Sequence, residues 1–160
     1  MAAEYDPKKA RFPLCITWTP LPCISWFVPC IGHTGICGTD GVIYDFAGPY
    51  TISKDNFAFG ECYKYVRLEI TDQEKFNEDI DEANVVYKRR NHNLCCDNCH
   101  SHVAHVLNSH NYMGRSNWTM IGVWWLLITS GSYVSCATFI RTYLVFTIIV
   151  GIIVACSLLL

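Results

Sequence analysis

The sequence predicts a single α+β domain followed by a C-terminal transmembrane helix. Its 160 residues match the length of one domain of ordinary size. All 14 acidic residues and 11 of the 12 basic residues lie at or before Arg115, so a polar part precedes an apolar tail. The polar part contains both strand-like alternation and helix-like periodicity, which together indicate a mixed α+β fold.

Two apolar segments around a glycine-rich turn predict a β-hairpin over residues 30–47. The turn, GTDG at residues 38–41, contains the residue types that tight hairpin loops require. A three-residue loop with a left-handed glycine would place His33 and Asp45 on the same face of the hairpin. A two-residue loop would direct them to opposite faces.

A third strand and a helix are predicted after this hairpin. Residues 61–70 alternate with a period of two, which is typical of a strand with one buried face. Thr71 and Glu74 have the spacing of a helix capping box. The side chains that recur at helical spacing and would face the core are Phe76, Ile80, Ala83 and Tyr87.

Residues 94–108 (LCCDNCHSHVAHVLN) hold the densest group of reactive side chains. Asp97 or Asn98 can cap a helix that has Cys99 in its first turn. Free backbone N–H groups and the helix dipole stabilise a thiolate there, so Cys99 is a candidate nucleophile.

A nucleophilic cysteine needs a base, and His33 on the predicted hairpin is the candidate. Asp45 on the neighbouring strand could orient the imidazole, which would complete a Cys99, His33 and Asp45 triad. Each residue also has a purely structural interpretation: His33 as a core histidine, Asp45 as an acid close to a turn, and Cys99 as a buried thiol.

Zinc binding is the alternative for the same segment. Its potential ligands are Cys95, Cys96, Cys99, His92, His100, His102 and His105. On a helix that starts near residue 98, however, Cys99 and His102 would share one side while His100 would lie on another. A closed zinc site also needs a second paired motif elsewhere in the chain. We therefore expect no metal and no other cofactor.

The apolar tail predicts a membrane anchor. Residues 142–160 carry no formal charge, and a helix of these 19 residues would span about 28 Å, close to the hydrocarbon thickness of a bilayer. A shorter apolar run, 118–129, would lie in the interface or form a hairpin with the last helix. Its tryptophans Trp118, Trp124 and Trp125 suit the headgroup level. Membrane lipids are thus expected partners.

The charged N-terminus and the basic residues near the membrane predict the orientation. Residues 1–12 form a polar tail, and prolines interrupt the apolar run after them, so we expect no signal peptide. By the positive-inside rule, Lys88, Arg89, Arg90 and Arg115 place the domain in the cytosol. The ten cysteines are then expected as thiols. A net charge of −2 argues against a nucleic-acid partner.

Four segments carry a resemblance to a known family: CISWF (23–27), GHTGI (32–36), DGVIYDFAGPY (40–50) and NCHSHV (98–103). They resemble the plant Reversion-to-Ethylene-Sensitivity proteins and animal transmembrane protein 222, and the match extends from about residue 13 to the end. The resemblance implies endoplasmic reticulum and Golgi membranes. For the plant members it also implies a role in promoting ethylene-receptor signalling.

A more distant resemblance implies a mechanism. His33 followed by Asp45 twelve residues later is similar to the strand motif of lecithin:retinol-acyltransferase-like proteins, which are permuted relatives of the papain-like NlpC/P60 peptidases. The run from Asn98 to His102 is similar to their nucleophile motif. Their orienting residue is usually histidine, whereas this chain has Asp45.

These resemblances imply a permuted papain-like (NlpC/P60-like) domain over residues 13–117 and a membrane-associated region over 118–160. The predicted function is acyl transfer or hydrolysis near the bilayer, with Cys99 as nucleophile, His33 as base and Asp45 as orienting residue. The second function that the sequence leaves open is a non-catalytic membrane regulator. It would bind a receptor or another integral membrane protein through residues 118–160.

Overall fold

A computed structural model describes residues 3–159 of the chain. Within these residues, six strands form one antiparallel sheet in the order β4-β3-β2-β1-β5-β6. The strands are β1 Cys15–Pro20, β2 Gly32–Cys37, β3 Ile43–Gly48, β4 Thr51–Lys54, β5 Lys64–Arg67 and β6 Ser132–Tyr133. The α-helices are α1 Ile24–Phe27, α2 Gln73–Tyr87, α3 Cys99–Ser109, α4 Met120–Ser130 and α5 Cys136–Leu159. The predicted α+β class with a C-terminal apolar helix is confirmed.

The predicted hairpin is formed by β2 and β3. Cys37 pairs with Ile43 and Ile36 with Tyr44, so the connecting loop is longer than either the two-residue or the three-residue loop that the sequence left open. Gly41 adopts a positive φ of 72° in this loop, a conformation that glycine accepts at low cost. The loop has an odd number of residues, as a three-residue loop has. His33 and Asp45 therefore lie on the same face of the hairpin.

The main core lies between the sheet and helices α2, α3 and α4. The predicted inner face of α2 is confirmed, since Phe76, Ile80 and Ala83 are buried in this core and Tyr87 is buried beside Phe46. A smaller cluster on the rest of the sheet includes Phe12, from the predicted polar tail. Burial of these apolar side chains is the dominant favourable contribution to folding.

The start of α2 differs from the prediction. Asp72, and not Thr71, is the N-cap, because its carboxylate accepts a hydrogen bond from the backbone N–H of Lys75. Aspartate is at least as good an N-cap as threonine, so the helix begins one residue later than a capping box at Thr71 and Glu74 would require.

The strand predicted over 61–70 is shorter, since β5 covers only Lys64–Arg67. The predicted alternation nevertheless extends beyond it: Cys62, Lys64, Val66 and Leu68 are buried. Backbone hydrogen bonds from Tyr63 to Trp18 and from Leu68 to Leu14 extend the contact with β1 on both sides of the regular strand.

The C-terminal helix begins earlier than predicted, and its first turns contact the rest of the domain. Helix α5 starts at Cys136, six residues before the predicted position, and Arg141 inside it forms an ion pair with Glu61 at 2.8 Å. Among the described residues, α5 is the one helix whose length and hydropathy suit a membrane span. Its solvent-exposed apolar surface is what a membrane anchor requires.

Helix α4 corresponds to the apolar run predicted over 118–129 and ends before Gly131. One of its faces packs on the core through Val123 and Leu127. Trp118, just before α4, is also buried, and its indole N–H donates to the carbonyl of Tyr112. The prediction that Trp118 lies at headgroup level is therefore wrong, because a core position and a hydrogen bond inside the domain hold this ring.

Candidate functional site

His33 and Asp45 form a buried ion pair on one face of the β2–β3 hairpin. The register places them on diagonal positions of adjacent strands, which are close enough for side chains to interact. Nε2 of His33 lies 2.7 Å from Oδ2 of Asp45, and His33 is only 3% exposed. Because Asp45 bonds Nε2, the other ring nitrogen of His33, Nδ1, is the one available to a third group.

Cys99 is the first residue of α3, as predicted. Asn98 caps the helix by accepting hydrogen bonds from the backbone N–H groups of His100 and Ser101, and the Ser101 hydroxyl accepts from the N–H of Asn98. This reciprocal capping box holds the first turn of α3 rigidly. Helix α3 packs against β2 and β3, so its first turn lies beside the His33–Asp45 pair.

The surroundings of Cys99 lower the pKa of its thiol well below the usual range. Burial of the thiol alone would raise the pKa, but the nearby imidazoles of His100, His33 and His92 stabilise the thiolate and outweigh burial. A lower pKa raises the fraction of the nucleophilic thiolate. The structure thus places Cys99 at the start of a helix that packs on β2 and β3, the strands that carry the His33–Asp45 pair.

The pKa of His33 is raised to about 9. Burial lowers it, while the hydrogen bond to Asp45 and the nearby thiol of Cys99 raise it more strongly. Burial also raises the pKa of Asp45, against the opposing effect of His33. At neutral pH, these directions favour a thiolate on Cys99 and an imidazolium on His33, which is the protonation state of an activated cysteine beside a base.

The thiol of Cys99 also contacts His100, which the sequence predicts on another side of the helix. Nδ1 of His100 lies 3.5 Å from Sγ of Cys99, and Nε2 of His100 is buried without a hydrogen-bond partner in the described part of the chain. The side chains of Cys99 and His100, which the sequence predicts on different sides of the helix, are thus in contact. His92, outside α3, also lowers the pKa of the Cys99 thiol, whereas the sequence suggests it only as a zinc ligand. The high density of histidines around Cys99 in the sequence is the feature that could have pointed to His100 and His92 as neighbours of the thiol.

His102 has a structural position. It is fully buried, and its Nε2–H donates to Oδ1 of Asn84 on α2 at 3.0 Å. Burial lowers the pKa of His102 to about 3, so its imidazole is neutral at physiological pH. This hydrogen bond ties α3 to α2 and fixes the rotation of α3, which in turn determines where Cys99 points.

The potential zinc ligands do not converge. Across residues 3–159, no three His, Cys, Asp or Glu side chains are arranged so that they could hold a metal ion. Cys95 and Cys96 are exposed, whereas Cys99 is buried under the start of α3. The donor set of this segment therefore does not fit a zinc ion.

Two phenylalanines cover the imidazole of His33. The rings of Phe57 and Phe59 lie with centroids 5.5 and 5.2 Å from that of His33. Both belong to the loop between β4 and β5, in which Phe59 has a positive φ of 68° and is half exposed. This loop separates the His33 ring from solvent.

The fold and the site together define a small α+β protein in which a buried cysteine, histidine and aspartate meet at one antiparallel sheet, with an apolar helix at the C-terminus. A model of the RTE1-like family matches residues 6–74 and 67–131. The Arabidopsis thaliana protein Reversion-to-Ethylene Sensitivity1 is 35% identical over 164 aligned residues, which cover 88% of this chain. The chain belongs to the RTE1-like family, and the family resemblance of its motifs is confirmed.

This chain spans 66% of the length of the Arabidopsis protein. No solved structure matches it.

Proposed function

We propose that this protein is a membrane-anchored thiol acyltransferase or hydrolase, built on a permuted papain-like domain over residues 13–117. The observation that carries the proposal is the position of Cys99 in the first turn of α3, beside the buried His33–Asp45 pair. The order of the chain also supports the permuted fold. The base and its orienting residue lie on strands that precede the nucleophile's helix.

In the proposed reaction, the thiolate of Cys99 attacks the carbonyl carbon of an acyl group. The bond between that carbon and the leaving group breaks, and the imidazolium of His33 gives its proton to the leaving alcohol or amine. Neutral His33 then takes a proton from the acceptor, which attacks the thioester and releases the thiolate. Water as acceptor gives hydrolysis, and an alcohol or amine gives acyl transfer.

Asp45 would position the base in both steps. Its carboxylate holds Nε2 of His33, so the ring keeps Nδ1 toward the thiol and the imidazolium is stabilised without a transfer of the proton to Asp45. The backbone N–H of Cys99 at the start of α3 is suitably placed, by its position in the first turn, to donate to a developing oxyanion.

The proposed location is the endoplasmic reticulum and Golgi membrane, with the domain facing the cytosol and α5 as the anchor. The hydropathy of α5 and its largely exposed surface support the anchor. The exposed basic residues Lys88 and Arg89 after α2 support the cytosolic side. Substrates would then be acyl groups of lipids or proteins at the bilayer.

The second candidate function is a non-catalytic regulator that binds another membrane protein. Limited access to the site favours it, since Cys99 is only 6% exposed and phenylalanines cover His33. The name of the Arabidopsis relative, which refers to ethylene sensitivity, also fits a signalling role. Under this hypothesis the triad residues would serve stability alone.

An electrophilic acyl probe on the full-length protein distinguishes the two functions. We expect wild-type protein to form a covalent acyl adduct that the Cys99→Ala variant lacks. Cys62→Ala is the matched control, because Cys62 is also 6% exposed, while burial raises its pKa to about 12.

The control variant should keep full labelling. Equal labelling of the wild type and Cys99→Ala would reject the enzymatic proposal and leave the regulator as the better one.

A further inference from the structure

The segment 21–31 (LPCISWFVPCI), which connects β1 to β2, is an exposed and entirely uncharged surface. Its two ends meet at the end of the sheet, because Pro20 of β1 pairs with Gly32 of β2. The large apolar side chains that it exposes are Ile24, Trp26, Phe27, Val28 and Ile31. A contiguous apolar surface of this kind marks a site of contact with a membrane or another protein.

Part of the backbone of this segment is hydrogen-bonded within the segment. Ser25 is buried, and its hydroxyl accepts from the N–H of Leu21 and donates to the carbonyl of Ile31, so it joins the two ends. The prolines have no N–H group. The other backbone N–H groups that donate inside the segment are those of Ile24, Ser25, Val28 and Ile31. These hydrogen bonds lower the cost of moving the segment from water into an apolar environment.

The segment lies beside the membrane anchor. Helix α1, in its middle, packs against α5, and the indole N–H of Trp124 on α4 donates to the carbonyl of Cys30 at 3.0 Å. The sheet register leads to the same end: Lys64 pairs with both Trp18 of β1 and Tyr133 of β6, and α5 begins shortly after β6. The exposed apolar surface of the segment is therefore continuous with that of α5.

Exposed acidic residues lie at the end of the sheet that is far from the segment 21–31. The opposite end of the sheet, at the β2–β3 loop and the start of α2, exposes the acidic residues Asp40, Asp72 and Glu74. Acidic groups are repelled by the anionic surface of a cytoplasmic leaflet, whereas an uncharged apolar segment is not. The opposite end of the sheet is thus suited to water, whereas the segment 21–31 itself carries no charge.

We propose that the segment 21–31 inserts into the bilayer next to α5 and holds this end of the domain on the lipid surface. The segment continues directly into Gly32 and His33, so its insertion would place the Cys99 site at the lipid surface. This inference rests on the proposed anchor role of α5 and is independent of the chemistry proposed for Cys99.

The test is lipid photo-cross-linking of the full chain in vesicles of phosphatidylcholine that carries a diazirine on its acyl chain. Mass spectrometry of the digested protein then maps the cross-linked residues. We expect cross-links both in α5 and in residues 21–31. Cross-links in α5 without any in the segment would overturn the inference while the anchor stands. An absence of cross-links from α5 would reject the anchor and this inference with it.

One test variant and one control variant make the experiment specific to the segment 21–31. Phe27 is 63% exposed, so Phe27→Gln should leave the domain folded and lower cross-linking of the segment at least threefold, with α5 unaffected. Met113, which is 69% exposed and lies after the far end of α3, gives the control Met113→Gln, which should change nothing. Efficient Cys23-to-Cys23 cross-linking between two chains would overturn the inference, because a second copy would then cover the segment.

Discussion

Asp45 and His33 are 12 residues apart in the sequence, yet Oδ2 of Asp45 lies 2.7 Å from Nε2 of His33 in the interior of the protein. The pair lies on the sheet face that receives the first turn of α3, where Cys99 is placed. An ion pair buried this completely costs desolvation free energy, which its mutual attraction and the nearby thiol must offset. Its cost is explained if the pair has a function in the site.

The first prediction concerns the reactivity of Cys99. A cysteine with a pKa of about 8.5 is about 0.3% thiolate at pH 6, whereas the hydrogen bonds to Cys99 should keep a much larger fraction ionised. Cys99 should therefore react with iodoacetamide at pH 6 faster than the exposed Cys95 and Cys96. Peptide mass spectrometry over time measures the three rates. Slower or equal labelling of Cys99 would mean that burial controls its reactivity.

The second prediction separates the base from its orienting residue. His33→Ala should abolish the rate advantage of Cys99 at pH 6, because it removes a hydrogen bond that lowers the thiol pKa. Asp45→Asn should weaken the advantage less, since the amide can still hold the ring. A rate profile against pH for each variant measures the apparent pKa. If His33→Ala changes stability alone, the site has a structural role.

The third prediction concerns stability against pH. His33, whose pKa rises from 6.5 to about 9, contributes stability below pH 6.5 that is lost as the pH rises toward 9. The lowered pKa of Cys99 contributes with the opposite sign over this range, so the wild type should change little. In Cys99→Ala the balancing thiolate is absent, so the thermal midpoint should fall as the pH rises above 6.5. The fall should end below pH 9, because the thiol of Cys99 is also one of the causes of the raised His33 pKa. Parallel curves for the two proteins would contradict the assigned pKa directions.

The fourth prediction uses the two helix caps as a matched pair. Asn98→Ala and Asp72→Ala each remove an N-cap and should lower the free energy of unfolding by about 1 kcal/mol. The Asn98 variant should also slow the reaction of Cys99, because it loosens the turn that holds the thiol. Asp72→Ala should not affect that rate. An equal effect of both variants on Cys99 would attribute the slowing to general destabilisation.

The fifth prediction concerns topology. Protease added to sealed microsomes should digest the domain before Arg115 if it faces the cytosol. Asn117, in the sequon Asn117-Trp118-Thr119, should carry no glycan. Immunoblotting with an N-terminal epitope measures both results, and detergent-solubilised membranes provide the control. Protection of the domain, or a glycan on Asn117, would place the domain in the lumen.

Several features of the site were predictable because they depend on local rules. The two-residue period of a strand restricts His33 and Asp45 to two arrangements, on the same face or on opposite faces, and the register of the hairpin in the structure selects the same face. The capping preference of Asn98 places Cys99 in the first turn of α3, because an N-cap is satisfied within three residues. The apolar length of α5 is likewise a property of consecutive residues.

Other features depend on contacts between distant parts of the chain. The hydrogen bond from His102 to Asn84 joins α3 to α2, and the packing of α3 on the sheet brings Cys99 near the strand that carries His33. The core position of Trp118 arises in the same way. No local pattern encodes such contacts, since each is selected by how well whole elements fill the space between helices and sheet.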